Sequence, residues 1–420
     1  MKIVYPICCG IDVHKTFLVA TIVSAMNPPV LTYKKERFST FNNNLVRLKN
    51  WLIQHHCYNV YMEFSDKYWG PVFNILEPDV RVVIVNPKWV KAIKGNKDDV
   101  KDSKWIGELF CFGLVRSSFI PEKPIRILRE FTWYRAKLVA HKSSKKNRFQ
   151  NGFMVCNIAL DSVVSDMFGT SATAITNYLL TDENPSAKIC ATFLQRSLKK
   201  KADTIISSIE GFQLTVEQKW RMLQVKNHME YLASAIAQLD EQLDALAKPY
   251  EAAIHLLCTI PGVKRGSAIT IISKIGTDMS QFTSSKRLCC WAGLTPGGNE
   301  SAEKKKSVKI TRAGVYLKPA LVQVTHAAVK CLDQPYYKVK YEHIMRRRGK
   351  KRTIIAIARM ILTAIYHMFQ TGELFNPVDF PKIDMPLEVR EHRKKVAIAE
   401  AVKLLKQQGL LPDTFSETCT

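Results

Sequence analysis

Four acidic residues stand in segments where they could do metal chemistry: Asp12 in GIDVHK, Glu63 in YMEFSDKYW, and Asp99 and Asp102 in KDDVKDSKWIGEL. Carboxylates gathered in one place repel each other, and their ionised forms coexist best when a cation intervenes. Hard oxygen ligands of this kind suit Mg²⁺, or Mn²⁺, which keep waters and take up phosphate oxygens. Two such ions roughly 3.5–4 Å apart activate a nucleophile on one side and stabilise a leaving oxygen on the other. Asp12 and Glu63 each end a predicted strand, where a side chain can leave the sheet. Asp99 and Asp102 are three apart on a predicted helix and share a face. Each element alone has a plainer reading. A strand-end Asp is commonly a turn residue, and Asp99 with Asp102 suits the positive end of a helix dipole. Asp66 and Asp98 satisfy the same periodicity.

The remaining composition names a substrate for such a site. The 420 residues suffice for two or three domains, and the hydrophobic fraction of 46% is that of a folded chain. A formal net charge of +25 repels itself unless a polyanion is near. Nucleic acid is the leading partner, since each Lys or Arg that meets a phosphate releases a counterion. A membrane-surface protein is the rival, but no basic amphipathic helix dominates. No uncharged apolar run is long enough for a bilayer, and Asp12 interrupts the only apolar stretch near the amino terminus. The 11 cysteines are an odd number, scattered or adjacent as in Cys8-Cys9 and Cys289-Cys290. Without C-x-x-C spacing they argue against structural zinc and for free thiols in a reducing cytosol. The expected location is cytoplasmic and nucleoid-associated, with no membrane partner.

The elements that must position the carboxylates follow from periodicity. Strands are predicted at 3–13, 16–24, 30–37, 59–63 and 80–85, with helices at 41–55, around 69–76, from Pro87, and at 99–115. Three early strands followed by βα units predict a mixed sheet covered by helices. A basic helix, 125–158, carries Lys142, Lys145, Lys146 and Arg148, with Phe131, Trp133, Tyr134 and Phe149 interleaved as stacking surfaces or core residues. A polar, irregular stretch follows. Met222, Val225, Met229, Leu232, Ile236, Leu239, Leu243 and Leu246 then form a heptad seam, read as a dimerising coiled coil, or else as a helix packed inside a domain. LLCTIPGVKRGSAITIISKIG predicts helix, turn, helix, in the manner of a hairpin whose amides face a phosphate. Arg346, Arg347 and Arg348 lie in MRRRGKKR, read as a phosphate-binding loop or a solvated basic turn. An apolar helix at 353–369 follows. The predicted segments are 1–160, 161–250, 251–372 and a tail, 373–420.

GIDVHK, MEFSDKYW, VNPKWVKAIKGNKDDVKDSKWIGELF and IPGVKRGSA…WAGLTPGGNES…KITRAG resemble the IS-one-ten (IS110) family of insertion-sequence transposases, from about residue 7 to about 370. The resemblance implies an α/β RNase H/RuvC-like domain with a D-E-D-D metal tetrad, then a coiled-coil helix, then a mainly α-helical C-terminal domain. By motif the tetrad is Asp12, Glu63, Asp99 and Asp102. The family's K-T-D-x-x-D-A meets Lys97-Asp98-Asp99-Val100-Lys101-Asp102-Ser103, which selects Asp99 over Asp98.

The same resemblance implies a nucleophilic serine after A-G-L-x-P, which here is Ser301 of GGNESAEKKK, followed by Ala302-Glu303 where glycines are usual. A serine needs a base or a metal to activate it. Without the resemblance Ser301 reads as a loop or capping serine, with Ser307 the nearest competitor. Lys304, Lys305, Lys306 and Arg312 would neutralise the phosphate. The family also implies an element-encoded noncoding RNA that pairs with target and donor DNA, consistent with the lysine-rich helix, and a homo-oligomer. The expected function is therefore a Mg²⁺-dependent DNA transposase or recombinase acting on element ends and target, guided by RNA. The alternative is a metal-dependent, structure-specific endonuclease of junction-resolvase type that uses water as nucleophile. A non-catalytic nucleic-acid binder is the third class.

Overall fold

A computed structural model describes residues 2–27, 30–63, 67–85, 99–114, 118–296, 300–301, 304–305, 309–377, 379 and 387–407. Packing divides the chain into Met1–Ile120 and Pro121–Thr420. The helix expected from Pro87, together with Asp66 and Asp98, lies outside the described residues.

The first unit is a five-stranded mixed sheet. Its strands are β1 (Ile7–Val13), β2 (Phe17–Asn27), β3 (Val30–Ser39), β4 (Asn59–Glu63) and β5 (Arg81–Val85), in the order β3-β2-β1-β4-β5. β1 to β3 form an antiparallel meander, whereas β4 joins β1, and β5 joins β4, in parallel. ICCGIDV is apolar at nearly every position because β1 is covered on both faces. One face, with Cys9, Ile11, Val60 and Met62, packs beneath residues of α1 (Asn42–Gln54) and α2 (Trp69–Leu76). The other, with Cys8, Val23, Tyr61 and Val85, packs against Ile106 and Phe110 of α3 (Asp99–Cys111). β3 is the outer strand on its side and is mostly exposed. Its Lys34, Lys35 and Arg37 discourage a further strand from pairing there.

Two glycines fix α3 on β1. A Cβ on Gly10 would stand 2.2 Å from Ser103 O and 2.4 Å from Gly107 N, so strand and helix backbones are in direct contact. Glycine within a strand marks this kind of approach.

The second unit is helical. Its two longest members are α4 (Lys123–Val155) and, after three short helices, α8 (Val216–Ala247). Pro124 lies in the first turn of α4, where a missing N–H costs nothing. Thr215 and Gln218 close a capping box on α8. The two helices run antiparallel. Gly152 admits Met222, whose Sδ would lie 2.1 Å from an added Cβ, and Arg135 grips both carboxylate oxygens of Asp240. Met222, Met229, Leu232, Leu239 and Leu243 are buried. The seam read as dimerising is thus covered within its own chain. Periodicity declares an apolar face but not what covers it.

The stretch 156–215, expected to be irregular, is a compact lobe. It contains α5 (Thr170–Thr181), α6 (Ala187–Cys190) and α7 (Ala202–Ser207). Ile175, Leu179, Ile205 and Ile209 share a core with Phe149, Phe153 and Met222. Phe149 is consequently a core residue and offers no stacking surface, whereas Trp133 and Tyr134 are exposed. The helix placed at the end of the first predicted segment, α4, belongs to the second unit.

Beyond α8 come α9 (Glu251–Cys258), α10 (Arg265–Ile275), α11 (Ser285–Trp291), α12 (Leu317–Ala328), α13 (Tyr336–Arg348), α14 (Lys350–Thr371) and α15 (Leu387–Gln407). Gly262, in the turn between α9 and α10, has φ +81, and its Cβ would strike Val324 O and Ala328 N of α12. That glycine packs on protein. MRRRGKKR is a helix junction, where a loop was expected: α13 ends at Arg348, Gly349 turns with φ 74, and α14 begins at Lys350. α14 is the one described helix long and apolar enough to cross a membrane, and half of that window is buried in the protein.

Two cations meet at the end of α10, Lys274 buried and Arg129 of α4 half-buried. Arg129 donates to Ser273 O (3.0 Å) and Lys274 O (2.8 Å), closing the negative end of that helix. Lys274, 7% exposed, donates to Thr132 Oγ1 at 3.2 Å. Burial, aided by the charge of Arg129, pushes its ammonium down to about 8. An unfolded lysine titrates near ~10.4, so between those values the unfolded chain holds a proton the native one has released. Stability therefore rises with pH across that window and is lowest below it, by an amount on the order of 3 kcal/mol. Urea denaturation from pH 7 to 10 should show this rise, and it should be missing from Lys274→Met.

Candidate catalytic site

Asp12 is the penultimate residue of β1 and Glu63 the last of β4. Their strands pair Cys9 with Val60, Gly10 with Tyr61 and Ile11 with Met62. One step further, Asp12 and Glu63 stand level on neighbouring strands, on the sheet face of Gly10 and Tyr61. That is the face α3 covers.

The direction of α3 follows from its contacts with β2. Ser103 Oγ meets Thr21 Oγ1 at 2.8 Å, and Gly107 lies against Val23. β2 aligns Val23 with Cys8, Thr21 with Gly10 and Val19 with Asp12. Moving back along α3 from Gly107 to Ser103 thus passes from the level of Cys8 to that of Gly10. Its first turn, bearing Asp99 and Asp102, continues toward the level of Asp12. Asp102 is half-buried, and the side chain of Asp99 lies outside the described residues. Among the described residues no group of three or more His, Cys, Asp or Glu could hold a metal ion. The carboxylates of Asp12, Glu63 and Asp102 are hard oxygen donors, whose chemistry suits Mg²⁺ or Mn²⁺ better than a soft metal.

His14 is a neighbour that sequence reading missed. Its Nε2 lies 3.2 Å from Asp12 Oδ2, and its ring stacks on Phe17 at 4.6 Å. The imidazole restrains the carboxylate beside it. The pattern G-x-D-x-H, which carries the strand's two-residue period one step past its last residue, Val13, was the available signal.

Ser301 belongs to the second unit. It pairs with Lys304, and Glu300 with Lys305, in a small hairpin of β6 (Glu300–Ser301) and β7 (Lys304–Lys305). Pro296 bridges Ile310 at its foot. Below that foot two glycines cross. A Cβ on Gly293 (φ +69) would meet Ala313 O at 2.3 Å, and one on Gly314 (φ +68) would meet Ala292 O at 2.1 Å. Lys318 Nζ ties the crossing by donating to Thr311 O at 2.7 Å. WAGL and TRAG are therefore one structural base beneath the Pro296–Ile310 bridge. The side chains of Ser301, Lys304 and Lys305, and the whole of Ala302, Glu303, Lys306 and Ser307, are outside the described residues.

The cationic candidates are spread along the helices. Lys142, Lys145 and Lys146 are half-buried on α4 and Arg148 is exposed. Lys146 Nζ sits 4.3 Å from the Phe168 ring centre, and Arg148 and Arg221 line a cleft of about 480 Å³. Arg312 is exposed beyond the hairpin foot. Arg346, Arg347 and Arg348 occupy the last turn of α13, where positive charge is favourable. Lys350, Lys351 and Arg352 open α14, where it is unfavourable. Among the described residues none of these six makes an ion pair with a carboxylate, so the junction is a concentrated positive surface.

Known families and proteins resemble this chain over part of its length. A family model named for IS110 and DEDD, described as transposase, matches residues 9–154. A second, described as Transposase IS116/IS110/IS902 family, matches residues 254–342. The transposase for insertion sequence element IS1111A of Coxiella burnetii is 27% identical over 144 residues, 34% of this chain and 39% of that protein. Pilin gene-inverting proteins of Moraxella bovis and Moraxella lacunata are 29% and 30% identical over 163 and 165 residues, 36% of this chain and 48% of theirs. The chain spans less than half the length of these curated relatives. The two family models together cover more than half of it, and they include every carboxylate and the serine singled out above. The chain belongs to the IS116/IS110/IS902 family of transposases.

Proposed function

We propose that this protein is a DNA transposase or recombinase that cleaves and rejoins DNA ends with a serine nucleophile, guided by an RNA from its own element. The observation that carries the reading is the level placement of Asp12 and Glu63 beneath the helix that bears Asp99 and Asp102. The strand order β3-β2-β1-β4-β5 supports an RNase H/RuvC-like assignment. Asp12, Glu63, Asp99 and Asp102 would hold Mg²⁺ or Mn²⁺, which when bound neutralises charge on the phosphate and favours an ionised nucleophile. The Ser301 oxygen attacks phosphorus as its proton passes to solvent, the bond to the leaving strand oxygen breaks and that oxygen takes up a proton, and a phosphoserine link forms. A strand hydroxyl then displaces the serine and regenerates it. Lys304, Lys305, Lys306 and Arg312 offset the phosphate charge. The basic surfaces of α4 and the α13–α14 junction would hold nucleic acid backbone in a cytoplasmic, oligomeric complex.

The test is a covalent adduct. Wild-type protein incubated with element-end DNA, guide RNA and Mg²⁺ should yield a protein–DNA species stable to denaturant, absent from Ser301→Ala. Cleavage that persists in Ser301→Ala without any adduct would instead identify water as nucleophile and the protein as an endonuclease.

A further inference from the structure

α14 has two faces. Ile354, Ile357, Ile361 and Ile365 are buried in the core. The opposite side lines an open cleft of about 1320 Å³, larger than the roughly 300–1,000 Å³ of an ordinary small-molecule site. Its floor is apolar, with Ile355, Met360 and Ala364. Arg348, Lys351, Arg352 and Arg359 line it too, Lys351 and Arg359 each one helical turn from Ile355. Among the described residues these four make no ion pair. At the other end Asp379 is already engaged by Tyr336, at 2.9 Å, and by Lys340.

The cleft reaches the Ser301 hairpin. Pro296 and Ile310, the bridged pair at the foot of that hairpin, both line it. A chain lying on the floor therefore ends beside the segment that carries the serine.

The geometry points to this cleft as the seat of a single DNA strand next to the bond that is cut, with phosphates on Arg348, Lys351, Arg352 and Arg359 and unstacked bases on the apolar floor. The inference rests on the DNA-processing role proposed above and assigns residues to it. Arg352 and Arg359 are seven residues apart, about 10.5 Å along the helix, far enough to meet different phosphates of one extended strand. Duplex DNA keeps its bases paired and has no use for an apolar floor, whereas a separated strand exposes base faces that gain by leaving water. Glu373 and Asn376, also lining the cleft, offer acceptors to base amino groups.

The experiment compares wild type, Arg352→Glu/Arg359→Glu and Met360→Trp, all full-length and checked by thermal melting. Each is titrated with a fluorescein-labelled oligonucleotide as single-stranded DNA, as duplex and as RNA. A 2-aminopurine in the DNA strand reports unstacking. Single-stranded DNA should bind the double variant at least tenfold more weakly, with a salt slope shallower by about 1.4 for two lost phosphate contacts. Duplex affinity should change less. Met360→Trp, which fills the floor and leaves the charge intact, should weaken the single strand and suppress the 2-aminopurine signal. Equal single-strand binding by all three proteins overturns the inference, as does a loss confined to RNA. Normal adduct formation alongside such a result would leave the transposase reading standing. Strand binding lost in the two variants, beside a wild type that binds the strand but forms no adduct, would sink that reading and keep the cleft.

Discussion

Asp12→Asn is expected to abolish Mg²⁺-dependent cleavage and strand exchange while the protein folds and still binds DNA. Asparagine keeps the shape of the side chain and removes its charge, so β1 and its pairing with β2 and β4 have no reason to change. What disappears is a hard anionic ligand level with Glu63. Metal-borne stabilisation of transition-state charge is worth several kcal/mol, and at about 1.4 kcal/mol per tenfold its loss lowers the rate on the order of 10³-fold. Cleavage of end-labelled element DNA, gel-shift affinity and thermal melting should be read on one preparation. A variant that melts early would show Asp12 to be a structural residue and remove the centre of the proposed site.

Gly10→Val carries the second large effect, and it acts through packing. The added Cβ meets backbone atoms of Ser103 and Gly107, which cannot rotate away as a side-chain end would. Either β1 bends or α3 lifts. Overpacking of this kind costs about 1–3 kcal/mol and sometimes more. Lifting α3 also carries Asp99 and Asp102 away from the strand ends, so activity should fall further than stability does. Denaturant titration gives the first quantity and Mg²⁺ dependence of cleavage the second. The midpoint for Mg²⁺ should move to higher concentration. An unchanged midpoint in a destabilised variant would mean that the seating of α3 does not set the ligand geometry.

The first unit was legible because each of its elements states its own period. Asn59–Glu63 and Trp69–Leu76 fall where alternation and helical spacing put them, and the mixed sheet follows from strand order. The partner of each apolar face was not legible. The Met222–Leu243 seam looks the same on paper whether a second chain covers it or α4 does. The lobe at 156–215 escaped notice because its helices are short and its apolar residues are spread among Ser, Thr and Asp. Gly349 was visible as a turn residue, yet a single glycine between two basic runs does not say that both are helical. In the site, Asp12 and Glu63 could be singled out from chemistry, while nothing in the local chemistry of Ser301 distinguishes it from any serine in a polar loop. His14 required the strand's periodicity to be applied to polar residues as well as apolar ones.

The lobe between the long helices leaves and returns at one place: Gln213 N donates to Cys156 O at 3.3 Å, and Ala159 N to Ser208 O at 2.9 Å. It also falls in the interval that neither family model covers. A module whose entrance and exit touch can grow, shrink or be exchanged for a fluorescent reporter without altering the span from Gly152 to Arg135. Lineages and protein engineers alike can remodel the molecule there, provided that a replacement still shields Phe149 and Phe153.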